Sequence, residues 1–359
     1  MEQRYSLIFF RRVAVDFRSY IREQARGKRI LEIGPSYNPI TPRADGFDVT
    51  VMDHADAVAL KVKYAAFGVD VSKIEDVDIV STDLNALVAA GRKFDVIVAS
   101  HMIEHTADVI GFLKSCDALL DDGQLMLIVP DKRFCFDHFR PNSTAGHAID
   151  AYLSHRQKHF GALFDHYAFF VLNSDLMAWG EAAQQDLKCL HGAQDASRVL
   201  ADALASDQYV DAHEWVFTPA SFRLMMRDLR DAGLVNLQQS FFHPEVGCEF
   251  MAIMSQHAAA PEDISRTVLL GEIEREGVSS SQLFCEKIST LNSAAAELDR
   301  VLKLSRQQAD EIVELKQQIV ASNDERDKFL RMIEAIKRST SWRVTRPLRA
   351  LKTVLKFHP

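Results

Sequence analysis

Cysteine is scarce and shows no pairing pattern. Five residues, at 116, 135, 189, 248 and 285, lie far apart with no C-x-x-C. An odd, scattered set argues against a disulfide framework and a zinc ribbon, and for a reducing setting. Long apolar runs are missing too. Leu7-Ile8-Phe9-Phe10 before Arg11-Arg12 is too short for a signal peptide, and no stretch approaches a membrane span. Positive charge is deficient: the formal net charge is −8, although residues 337–359 hold seven Lys/Arg and no acid. The remainder is therefore more acidic than the total, which excludes nucleic acid as the expected partner. An apolar content of 47 % over 359 residues suffices for one or two folded domains with additional segments.

What is present centres on Arg29-Ile30-Leu31-Glu32-Ile33-Gly34-Pro35-Ser36-Tyr37-Asn38-Pro39. An apolar run breaking at glycine into a Pro/Ser/Asn turn reads as a buried parallel strand ending in a ligand-facing loop. A second run, Phe47 to Met52, ends in Asp53, expected at an exposed strand tip. A carboxylate there can accept both hydroxyls of a ribose diol. G-x-G-x-x-G is absent, however: Ser36 and Asn38 stand at its later glycine positions, and Pro35 has no N–H to offer a pyrophosphate. The unit fits an adenosyl ligand without phosphates. Glu32-x-Gly34 followed by Asp53 resembles the first two motifs of class I S-adenosylmethionine-dependent methyltransferases. The wording Leu-Glu-Ile-Gly-Pro-Ser-Tyr-Asn-Pro resembles a bacterial subgroup associated with surface polysaccharides.

The order of elements supports the same α/β class independently. Apolar spacing over 4–26 reads as a helix ending at Gly27. The Pro-rich link from Gly34 to Phe47 is too short for a full crossover helix. Strands follow at 77–80, 94–99 and 124–129, with Asp83 just past the first and a helix over 106–120 before an Asp122-Gly123 turn. Residues 131–212 read as inserted helices and loops. Thr218-Pro219 opens a helix with Phe222, Met225 and Leu229 on one face, and strands 235–242 and 248–255 close the domain. The expectation is a Rossmann-like, seven-stranded, mostly parallel sheet with an antiparallel terminal hairpin over 1–257. A linker (258–281), a coiled-coil helix (282–338) and a basic amphipathic tail (339–359) follow.

The fourth strand runs into Ser100-His101-Met102-Ile103-Glu104-His105. His-x-x-Glu-His is the zinc-hydrolase pattern His101/Glu104/His105 when it lies inside a long helix. After a buried strand it instead resembles the methyltransferase motif beside the methionine half of the cofactor, so no metal is expected. For a hydroxyl acceptor a general base is needed, and His101, His105 and Asp131 are the candidates. The insertion opens with Asp131-Lys132-Arg133-Phe134-x-Phe136-Asp137-His138-Phe139-Arg140, charges to bond sugar hydroxyls and rings to stack on a sugar face, or a core with a charged rim. His155-x-x-x-His159 could face a metal from a helix, but with no Cys or carboxylate at fitting spacing the two read as surface histidines. Asp165-His166 and Asp211-x-His213-x-Trp215 are further acceptor contacts or satisfied histidines.

What the resemblance implies is methyl transfer from S-adenosyl-L-methionine to a saccharide or glycan hydroxyl. Glu32, Gly34, Pro35 and Ser36 form the cofactor loop, Asp53 holds the ribose, Asp83 lies near the adenine, and Ser100 and His101 line the methionine side. Expected partners are the acceptor, further copies through the coiled coil, and an anionic membrane surface under the tail, in a cytoplasmic or peripheral inner-face location. The rival from another class is an assembly scaffold with a degenerate methyltransferase fold.

Overall fold

The computed structural model describes residues 16–180, 186–206, 210–257, 264–277, 280–347 and 349. The chain divides into a unit of 1–279 and a unit of 280–359. In the first, helix α1 (Phe17–Ala25) starts at Asp16, whose side chain accepts from Arg18 N, and buries Phe17, Ile21 and Ala25 at helical spacing. The earlier part of the expected 4–26 helix lies outside the described residues. Strand β1 (Arg29–Ile33) passes to β2 (Asp48–Asp53) through one short 3₁₀ turn, as the proline-rich link requires. Then follow α2 (Ala57–Ala65), a two-residue β3 (Ile79–Val80), α3 (Asn85–Ala89), β4 (Phe94–Ser100), α4 (Val109–Leu119) and β5 (Leu120–Pro130). The Asp122-Gly123 turn expected before the fifth strand is absorbed into it. A Cβ on Gly123 would lie 2.3 Å from the Asp95 carbonyl, so only glycine lets β5 approach β4 this closely.

The insertion holds α5 (Ala145–Leu153), α6 (Phe160–Ala168) and α7 (Ala193–Leu204). It also holds an antiparallel ribbon, β6 (Val171–Asn173) with β7 (Leu187–Cys189), which the sequence reading had not expected. Helix α8 (Pro219–Asp231) begins with Thr218 accepting from Ser221 N, and β8 (Gln238–Val246) and β9 (Glu249–Ser255) form the terminal hairpin. Within the expected linker lies α9 (Arg266–Gly277). Its Leu269 is buried, Arg266 pairs with Asp228, and Glu276 accepts from Ala220 N at 3.1 Å. The segment therefore belongs to the domain.

Sheet order is β3-β2-β1-β4-β5-β9-β8, parallel through β5 and antiparallel beyond. Central strands bury both faces: Ile97 and Ala99 of β4 and Leu125, Leu127 and Val129 of β5 pack one way. Val96, Val98, Met126 and Ile128 pack the other, with α1. That two-sided burial is why these strands read as unbroken apolar runs. The second unit contains α10 (Ser280–Arg338) and α11 (Thr340–Val344). None of the described helices is long and apolar enough to cross a membrane.

Candidate active site

The carboxyl ends of β1, β2 and β4 converge. Gly34 turns the chain at φ +65°, and a Cβ there would lie 3.3 Å from Met102 Cγ, so the loops after β1 and β4 meet across this glycine. Beneath the loop, buried Glu32 accepts Ile40 N at 2.5 Å, Thr41 N at 2.9 Å and Thr41 Oγ1 at 2.6 Å. Burial raises its pKa and outweighs the Thr41 and Ile40 hydrogen bonds that lower it. Glu32 thus shapes the loop from below.

Asp53 is not an exposed tip: it is 2 % exposed. One oxygen accepts Ser36 N at 3.1 Å and Ser36 Oγ at 3.3 Å. The other accepts His54 N at 2.8 Å and lies 2.6 Å from His54 Nδ1. Ser36, at φ +48°, is also reached by Tyr64 Oη at 3.3 Å, and Tyr37 packs edge-on against Tyr64. An adenosyl ribose fits this tip. The carboxylate is prepared as an acceptor, and its loosest contact, Ser36 Oγ, is the one a sugar hydroxyl can replace. Pro35 leaves no N–H for a phosphate. Asp83 is exposed and closes a turn onto Asn85 N at 2.9 Å, on the outer rim past β3.

Past β4, His101 takes φ +49°, in the left-handed region that few residues other than glycine adopt. Its side chain is 42 % exposed, and Nε2 lies 2.7 Å from Glu249 Oε2, a partner on β9 with no sequence signal. Desolvation pulls its pKa down, but the Glu249 hydrogen bond and the Glu104 charge hold it above the ordinary value. Residues 103–105 form a 3₁₀ turn, not a long helix, so the His-x-x-Glu-His zinc-hydrolase geometry is absent. His105 Nδ1 lies 2.8 Å from Asp211 Oδ1, and Nε2 lies 3.9 Å from Glu104 Oε1. Its pKa is likewise raised, with Asp211 overcoming burial.

Glu104 is fully buried, and neither carboxylate oxygen has a hydrogen-bond donor among the described residues. Its carbonyl accepts Glu214 N at 2.7 Å and Trp215 N at 3.0 Å, which brings His213 alongside. His213 Nδ1 lies 2.5 Å from Asp137 Oδ2, and Arg140 Nη1 donates to Asp137 Oδ1 at 2.9 Å and to the His213 carbonyl at 2.9 Å. Burial alone would raise Asp137, yet His213 and Arg140 hold it well below the usual carboxylate range. His166 accepts from His213 N at 3.3 Å, and burial with the neighbouring His213 lowers its pKa to about 3, so it is a neutral packing group against Phe136 and Phe170.

Several expected roles are corrected. Asp131 is buried beneath the Arg133 fork, with Nη2 at 2.5 Å, and caps a 3₁₀ turn, a structural ion pair rather than a base. Trp215 is core, its Nε1 donating to the Thr106 carbonyl at 2.6 Å. His155 and His159 lie between α5 and α6 rather than on a helix, and His159 is buried. Phe134 is core while Phe139 is half exposed. Adjoining the histidine cluster through Arg140 and Glu214 is a cavity of about 720 Å³, lined also by Ser143, His147, Arg156 and Phe160.

Residues 7–239 match the family described as a methyltransferase domain. The ubiquinone biosynthesis O-methyltransferase of Dinoroseobacter shibae is 34 % identical over 102 residues, 28 % of this chain and 40 % of that protein. The enzyme of the same name from Brucella ovis is 32 % identical over 107 residues, 30 % of this chain and 42 % of the relative. The chain thus matches about two fifths of the length of these relatives. Among solved structures, the N-terminal domain of EvdMO1 in the presence of SAH and D-fucose covers 67 % of this chain and 82 % of its own, at 14 % identity and a TM-score of 0.33. A SAM-dependent methyltransferase from Aquifex aeolicus covers 67 % and 90 %, at 12 % identity and a TM-score of 0.33. With the family match spanning residues 7–239, most of the chain, the chain belongs to the methyltransferase domain family.

Proposed function

We propose that this chain transfers a methyl group from S-adenosylmethionine to a hydroxyl of a saccharide or glycan intermediate in cell-surface polysaccharide assembly. The carrying observation is the group of histidines at the β4 end, His101 backed by Glu249 and His105 by Asp211, opening beside a cavity rich in hydrogen-bonding side chains. When bound, the cofactor supplies an electrophilic methyl. The chain's own work is positioning and proton removal. Asp53 would hold the ribose, the 34–36 loop the adenosyl group, and Ser100 to His101 the methionine side. His101 or His105 would take the hydroxyl proton, as its carboxylate partner steadies the imidazolium that forms.

Relatives named for ubiquinone biosynthesis favour a second reading, a phenolic hydroxyl. The lining of Arg140, Asn142, Ser143, His147 and Arg156 suits a polyhydroxylated acceptor better than an apolar one. Labelled methyl transfer to sugar-nucleotide, lipid-linked glycan and quinone-precursor fractions decides. Label in the first two is expected, and label only in the third overturns the saccharide. Failure to bind cofactor at millimolar concentration would favour the scaffold. We further infer self-association through the long helix and a cytoplasmic, inner-face membrane location through the basic tail.

A further inference from the structure

Glu104 is the anomaly of this site. A fully buried carboxylate without a hydrogen bond among the described residues is costly unless a cation meets it, and the imidazole nitrogens facing it, His101 Nδ1 at 3.7 Å and His105 Nε2 at 3.9 Å, stand beyond hydrogen-bond reach. One donor atom from each of Glu104, His105 and His213 lies within 4.8 Å of the others. Each histidine has a carboxylate on its Nδ1 side: Asp211 Oδ1 stands 2.8 Å from Nδ1 of His105, and Asp137 Oδ2 is hydrogen-bonded to Nδ1 of His213 at 2.5 Å. A carboxylate behind the distal nitrogen is the usual support of a metal-bound imidazole, fixing tautomer and ring orientation.

We propose that Glu104, His105 and His213 bind one divalent transition-metal ion at the end of β4. Two imidazoles and a carboxylate suit zinc, cobalt or iron better than magnesium or calcium. A tetrahedral zinc with bonds of about 2.0–2.1 Å sets its donors roughly 3.4 Å apart, so the three donor atoms, which lie within 4.8 Å of one another, would draw together by side-chain rotation on binding. The three protein ligands leave a fourth position for an acceptor oxygen. The inference rests on the methyltransferase reading for that last role. The local motif His101/Glu104/His105 named two of the ligands, and the third comes from more than a hundred residues away.

The test uses the full chain, freed of metal with a chelator, titrated with Zn²⁺ by calorimetry and with Co²⁺ by visible absorption, while S-adenosylhomocysteine binding is measured in parallel. One equivalent of metal is expected, with a cobalt spectrum of few-coordinate type. Glu104→Gln and His213→Gln should each weaken binding at least 100-fold, and Asp137→Asn by about 10–100-fold through the second nitrogen of His213. His155→Gln, at an exposed residue outside the cluster, should leave metal affinity unchanged. Thermal melts identify any variant that fails to fold, and the remaining ones then decide. Stoichiometric cofactor binding with no metal uptake, or uptake equal in wild type and folded variants, overturns the metal site and leaves the methyltransferase standing. Metal uptake without cofactor binding overturns the activity and supports the site.

Discussion

At the residue scale, Asp53 ties down the loop after β1 with both carboxylate oxygens, and under the proposed function the same oxygens would hold the ribose. Asp53→Asn preserves shape but turns an acceptor into a donor aimed at Ser36 N or His54 N, which already donate. Cofactor affinity should fall by about 2–4 kcal/mol, with a loss of fold stability of about 1–3 kcal/mol from the mismatched buried donors. Calorimetry with S-adenosylhomocysteine and urea unfolding measure the two, and unchanged affinity in a folded variant would remove the ribose role. Thiols give a second check. Cys116 and Cys135 are buried and burial raises both thiol pKa values, whereas Cys189 is exposed. A maleimide should therefore label Cys189 in minutes and leave Cys116 and Cys135 untouched until the protein is unfolded. Placement was legible for Glu32, Gly34, His101 and His105, which lie on β1, its loop and the β4 end, whereas Asp53 is buried rather than at an exposed tip. Partnership was not. Asp137 with His213 and His101 with Glu249 are joined only by tertiary folding, and no local spacing encodes them.

At the element scale, the positions of the central strands followed from their apolar runs and the start of α8 from its cap. Thr218 accepts from Ser221 N while Ser221 Oγ accepts from Thr218 N at 2.8 Å, at the head of a helix that buries Phe222, Met225 and Leu229. Thr218→Ala should cost about 0.5–2 kcal/mol in urea unfolding, since it orphans a buried N–H. Where the sequence misled, packing had decided. The linker became partly helix because Leu269 finds a core and Arg266 finds Asp228, neither visible in local composition. The start of β1 is tied to β4 by Arg29, which donates from N at 2.8 Å and Nη2 at 2.6 Å to Asp95. The Arg29 hydrogen bonds hold Asp95 below its ordinary pKa. Its unfolded carboxyl binds protons first, so this stabilisation is complete above the ordinary value of 3.8 and is lost as pH falls through the folded value. Asp95→Asn should be less stable than wild type at pH 6, by no more than about 1 kcal/mol for so exposed a pair, and the two should converge near pH 2. A gap that persists at pH 2 would assign the effect to shape, not charge.

At the scale of the whole molecule, the second unit poses the question the first does not answer. Along α10, Leu298, Leu302, Ile312, Ile319, Leu330 and Ile333 follow 3-4 spacing and are each about half exposed or more in a single chain. A lone helix leaves that stripe wet, and burying it between two or three copies is the simplest remedy, with Ser305, Lys316, Asn323 and Arg326 loosening the seam. Because α9 belongs to the domain, a chain ending at 279 should be monomeric and still bind cofactor, while the full chain should scatter light as an oligomer at tens of micromolar. Association would also gather the tails. Ser339 caps α11, and Arg349 lies 3.6 Å over the Trp342 ring. The apolar face of Leu348, Leu351 and Leu355 lies outside the described residues. Each cation near an anionic surface contributes about 1 kcal/mol, and tethered copies bind together with a raised effective concentration. Vesicles containing phosphatidylglycerol should therefore co-sediment the full chain, release it as salt rises, and fail to hold a chain lacking 339–359. Equal binding to neutral vesicles, or binding that survives the deletion, would exclude the tail as the anchor. A monomeric full chain would predict a much weaker vesicle affinity, since one tail cannot draw on the copies beside it.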